Sequence, residues 1–110
     1  MNYSFQLFPS IDPRQGDDSA NIMITLESGE KYFGSIYTFE QVAILHSKHK
    51  NSGEFLKGSY FWSNNLVLVE EINTESIQGV INHLIETDAF YNAFFPVNKE
   101  AFQTLTAHVN

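Results

Sequence analysis

Twice along this chain a strand-like hairpin pattern runs straight into an amphipathic helical one, over residues 21–50 and again over 55–88. The first copy reads NIMITLESGEKYFGSIY and then TFEQVAILHSKHK. The second reads FLKGSYFWSNNLVLVEE and then INTESIQGVINHLIETD. Alternating strands need a cover for their apolar face, and a striped helix supplies one. The order therefore predicts an α+β fold: an antiparallel sheet of four to five strands with two main helices packed on one face, built from two hairpin–helix units. The 110 residues fit one domain, with an N-terminal strand and polar loop over 1–20 and a C-terminal segment over 89–110.

Local patterns fill in this outline. Tyr3, Phe5 and Leu7 alternate with Ser4 and Gln6, as a short strand does. Pro9, Pro13, Gly16, Asp17 and Asp18 then mark a polar loop. In the first hairpin, a three-residue loop bulged at Gly29 would pair Glu27 with Lys31 and Ile22 with Ile36. A two-residue loop would instead set Glu27 against Glu30, so the longer loop is preferred. Thr38 and Gln41 have capping-box spacing. Behind them Phe39, Val42, Ala43 and His46 form the expected inner stripe, widened by Ile44 and Leu45, and Asn51-Ser52-Gly53 stops the helix.

The second hairpin is expected to turn at Asn64-Asn65, setting Trp62 opposite Val67, Phe61 opposite Leu68 and Tyr60 opposite Val69. Both of its faces would be apolar, which calls for cover on both sides or leaves one face as a contact surface. Ile77, Val80, Ile81, Leu84 and Ile85 then make the clearest helical stripe, capped by Asn73 or Thr74, with Gly79 expected to allow close packing on the sheet. AFYNAFF reads as a short aromatic helical turn ended by Pro96. A last helix from Asn98, using Phe102, Leu105 and Val109, competes with a strand through Thr104 and Thr106.

The chemistry of catalysis is poorly represented. The chain has no Cys, and no GxSxG elbow, GxGxxG or GxxxxGK sequence occurs. His46 and His49 stand one helical turn apart, but no third zinc ligand accompanies them, and they read as a solvated basic helix end. Glu70, Glu71 and Glu75 read as a solvated acidic edge before they read as a catalytic pair. No catalytic residue, metal or cofactor is expected, and the chain reads as a non-enzyme.

Binding chemistry is better represented. Thirteen acidic and six basic side chains give a net charge of −7, which disfavours nucleic acid as a direct ligand and favours a basic protein partner. Ten Phe are too many for a disordered segment and suit a bulky core or an aromatic contact surface. The expected partner-binding residues are Asp17, Asp18, Glu70, Glu71 and Glu75 for charge, with Tyr60 and Trp62 as aromatic anchors. No basic segment precedes an apolar one near Met1, and no apolar run approaches the roughly 20 residues that span a bilayer. A soluble, cytoplasmic protein without a membrane partner is expected, as a monomer or a homodimer.

The segment GEFLKGSYFWSNNLVLVEEINTESIQGVINHLI resembles small bacterial proteins of hairpin–helix type, through Gly53-Glu54, Gly58 and Tyr60-Phe61-Trp62 with the strand and helix that follow. The resemblance covers about residues 21–95. In size, acidity and lack of catalytic residues the chain also looks like immunity proteins, which neutralise partner toxins in bacterial competition. That resemblance implies a cytoplasmic, toxin-specific inhibitor that blocks an active site, a nuclease's above all. The alternative is a structural or regulatory homodimer joined through the doubly apolar second hairpin.

Overall fold

The computed structural model describes residues 2–9 and 18–97. Strands β1 (Tyr3–Pro9), β2 (Ser19–Leu26) and β3 (Lys31–Thr38) form an antiparallel meander. Helix α1 (Phe39–Ser52) leaves β3 with no linker, followed by the short segment α2 (Glu54–Gly58) and strand β4 (Leu66–Val69). Helix α3 (Thr74–Glu86), the single turn α4 (Phe90–Ala93) and strand β5 (Phe95–Val97) complete the chain as described. The class is α+β with a five-stranded sheet in the order β1-β2-β3-β4, β5 also pairing β3.

β3 is the hub. β2 lies along one side of it, while the other side takes β4 against Ser35–Thr38 and β5 against Lys31–Phe33. β5 runs antiparallel to β3, but β4 runs parallel to it. The expected second hairpin is therefore corrected: residues 59–65 form no strand, and among the described residues β4 pairs only with β3. The physical reason is the intervening helix. Parallel neighbours need a crossover connection, usually a helix, and α1 supplies it between β3 and β4. The Asn64-Asn65 turn does form, with Asn65 in the left-handed region at φ 46°.

The first hairpin has its expected three-residue loop, with Gly29 at φ 94°, but the register differs. Ile22 faces Gly34 and Thr25 faces Lys31, and the Leu26 amide donates to Glu30 O at 2.8 Å. The loop is Glu27-Ser28-Gly29, one residue earlier than expected. A two-residue shift of partner keeps each side chain on its face, so the apolar pattern could not detect it.

Ile22, Ile24 and Leu26 of β2, Tyr32 and Ile36 of β3, and Val69 of β4 share one face with Ile77 and Ile81 of α3 and with Phe90 and Phe94. Val80, Leu84 and Ile85 pack against this core, as the helical stripe predicts. Tyr3, Phe5 and Leu7 join from β1, and the Tyr3 hydroxyl donates to Asn82 Oδ1 at 2.6 Å, tying that strand to α3. Gly34 lies beneath Phe94: a Cβ there would meet Cδ1 at 2.6 Å. Gly79, expected to pack closely, instead faces open space.

Of the two long helices, α3 supplies Ile77 and Ile81 to this core. In α1, Leu45 and His49 are buried, and His49 stacks on Phe61, which in turn meets Tyr37 of β3. The expected α1 stripe is corrected too. Gln41, Leu45 and His49 are buried, while Phe39, Ala43, Ile44 and His46 are exposed. Thr38 is both the last residue of β3 and the N-cap of α1, so the strand's exit sets the helix phase. The proposed C-terminal helix or strand lies outside the described residues.

Candidate functional site

The sheet register gathers much of the acidic group at one end. The Thr38 amide donates to Asp18 O at 3.3 Å, and Thr38 pairs with Val69, the residue before Glu70. Asp18, Thr38 and Glu70 thus stand at the same end of three adjacent strands, which are spaced about 4.8 Å apart. Glu71 follows, and Glu75 occupies the first turn of α3; all four carboxylates are exposed. Asn73 caps α3 by accepting from the Ser76 amide at 2.8 Å, and its Nδ2 donates to Glu71 Oε2 at 3.1 Å. Asp17 lies outside the described residues.

Asp18 is held in place. The Thr38 hydroxyl donates to its Oδ2 at 2.7 Å while accepting from the Gln41 amide at 3.0 Å. Gln41 does not reach back to its own helix cap. Its Oε1 accepts from the Asp18 amide at 3.3 Å, so the buried glutamine fastens the start of β2 instead. One carboxylate oxygen of Asp18 is engaged with Thr38, which presents a preoriented acid at the sheet end.

The aromatic residues are positioned by a different device. After the left-handed cap Gly53, residues Phe55, Leu56 and Lys57 have φ of 52°, 51° and 58°, and Gly58 has 80°. α2 is thus a left-handed turn bracketed by two glycines. Each L-residue in that region costs roughly 1–2 kcal/mol, so neighbouring contacts must hold it. The Phe55 ring lies 4.6 Å from His49 and 5.4 Å from Phe61, and the Ser59 hydroxyl donates to Leu56 O at 2.6 Å. Phe61 is anchored again by Tyr37, 5.2 Å away.

With Phe55 and Phe61 turned in, their neighbours turn out. Leu56 is 74% exposed, Tyr60 50% and Trp62 60%. Tyr60 and Trp62 are therefore exposed on an irregular segment, not on the strand expected for them. Sequence reasoning missed Leu56. The available signal was the pair Gly53 and Gly58, which brackets a stretch that reads as alternating but need not be extended.

His49 is also corrected. It is 1% exposed, not solvated, its ring tilted against Phe55 and stacked on Phe61 at 6.1 Å, with Nδ1 lacking a hydrogen-bond partner. His46 faces solvent, so the two imidazoles diverge. Among the described residues, no group of three His, Cys, Asp or Glu side chains is placed to hold a metal ion. Among them, too, no helix is long and apolar enough to cross a membrane.

The phenols of Tyr3 and Tyr32 are perturbed. Burial raises the pKa of Tyr32, helped by its hydrogen bond to Glu30 Oε2 at 3.0 Å, the Glu30 charge and Tyr91. Burial alone raises that of Tyr3. Both stand toward the β2–β3 turn, away from the acidic end. No protein-family description matches this chain, and comparison with curated proteins and with solved structures finds no match either.

Proposed function

We propose that this chain is a cytoplasmic immunity protein that binds a basic toxin, a nuclease above all, and occludes its active site. The observation that carries the reading is the acidic sheet end: Asp18, Glu70, Glu71 and Glu75 exposed together on a chain of net charge −7. A nuclease groove that binds phosphates presents Lys and Arg, and carboxylates docked there would replace the substrate. Asp18, already oriented by Thr38, loses less freedom on binding than a mobile acid would. Tyr60 and Trp62 supply exposed aromatic anchors of the kind that dominate interface energetics.

The test is co-expression with the product of the adjacent gene. Co-purification is expected, with inhibition of the toxin and affinity rising as salt falls. Charge reversal at Glu70, Glu71 and Glu75 should slow association. A neighbour that is no toxin, or binding indifferent to salt, would end the proposal. The homodimer alternative loses the doubly apolar hairpin that motivated it, because those residues form α2, an irregular segment and β4. Sedimentation at micromolar concentration decides its remaining standing: a strict monomer rejects it.

A further inference from the structure

The sheet has two edges, and the chain guards them differently. Beyond β3 the edge is shared by β4, four residues long, and β5, three residues long with Pro96 in its middle. Short strands and an edge proline both hinder the addition of another strand. The opposite edge is β1, whose seven residues pair with β2 in an unbroken register from Tyr3↔Leu26 to Pro9↔Ala20, so no bulge turns it aside. Residues 2–9 carry no charged side chain, and Pro9 stands only at the strand's end. Asn2 O accepts from the Glu27 amide at 3.0 Å and therefore points toward β2. Peptide groups alternate in direction along a strand, so Tyr3, Phe5 and Leu7 aim their N–H and C=O groups outward. Among the described residues β1 pairs only with β2, so these outward groups form an open ladder.

We infer that β1 is a self-association site: it pairs antiparallel with β1 of a second copy across a two-fold axis normal to the sheet, joining two five-stranded sheets into one. Such an axis keeps the core faces of both sheets on the same side. Outward-pointing residues pair with outward-pointing ones, so Tyr3, Phe5 and Leu7, half-buried at the rim of the core, face the same set on the second copy. The strand is held ready for this, because the bond from the Tyr3 hydroxyl to Asn82 Oδ1 fastens it to α3 and little order is left to lose. Charge selects the second copy as the occupant. Chains of net charge −7 repel one another, and an uncharged strand is where two of them approach at least cost. A strongly charged partner strand finds nothing on β1 to select it. The surface is neither the acidic sheet end nor the segment through which the sequence suggests a homodimer, and the inference stands apart from the toxin reading.

Sedimentation velocity on the full chain, from low to high micromolar concentration, should show a monomer–dimer equilibrium. Added salt should tighten the dimer by screening the mutual repulsion, the opposite of its expected effect on toxin binding. Ser4→Lys combined with Gln6→Lys, both at exposed positions, should raise the dissociation constant by about tenfold by setting like charges across the join. The denaturant midpoint of the dilute monomer should hold, which separates loss of pairing from loss of fold. The chain has no Cys, so a nitroxide on Gln6→Cys senses only its counterpart on the second copy, and dimerisation should broaden its spectrum. A strict monomer throughout that range, a dimer that the two lysines leave intact, or a dimer without broadening at Gln6→Cys would each overturn the inference. Toxin inhibition should survive the two lysines; its loss, with no dimer formed, would assign the edge to a strand of the toxin instead and end the inference.

Discussion

Two glycines with opposite surroundings show how much a single hydrogen can decide. Gly34 lies beneath the Phe94 ring, and a Cβ 2.6 Å from Cδ1 must displace a fully buried aromatic. Gly34→Ala should therefore destabilise the fold by about 1–3 kcal/mol, seen as a lower denaturant midpoint at unchanged slope. Gly79 sits mid-helix with nothing near its missing Cβ. Gly79→Ala should stabilise by about 0.5–1 kcal/mol in the same measurement, through helix propensity alone. From the sequence both are isolated glycines in regular elements, and only the neighbour across space tells them apart. The same holds for His49: its spacing from His46 is legible, but its burial depends on which way α1 faces.

Elements differ in legibility according to how much local information they carry. α3 declares itself through five apolar residues at helical spacing, and β1 and β2 through alternation, so these elements are legible in the chain although the β2–β3 register is not. α1 is found but its face is misjudged, because its phase is set by the strand before it and by Gln41 reaching across to the Asp18 amide. Residues 55–63 alternate convincingly yet form no strand, since Gly53 and Gly58 admit a backbone that alternation cannot reveal. Of the candidate site, the identities of the acids and aromatics are legible, while their grouping depends on the parallel pairing of β4. Thr38 joins these levels: it ends a strand, caps a helix and holds Asp18. Thr38→Ala should cost about 2–3 kcal/mol, from a lost cap plus a lost bond to a carboxylate. Hydrogen exchange in the first turn of α1 should rise more than in α3.

The whole molecule carries a pH dependence of defined sign. Tyr3 and Tyr32 titrate above the ordinary phenol value when folded. The neutral phenols are thus favoured by folding, so their stabilisation is complete below pH about 10 and is lost as pH rises through the folded values. Thermal melts should show a flat response of these groups up to pH about 10 and a falling midpoint above it. Tyr32→Phe should flatten that alkaline fall. A difference spectrum at 295 nm should show at least one phenol ionising late, together with unfolding.

The position of β3 also dictates an order of events. Its β2 side is closed by the adjoining hairpin, but its other side waits for Leu66–Val69 and then Phe95–Val97 to arrive from far along the chain. Contacts closer in sequence form sooner, so the meander assembles while one flank of β3 still offers bare amides and carbonyls. A newly made chain is therefore vulnerable to intermolecular strand pairing, and two short strands laid end to end must seal the flank before a neighbouring chain does.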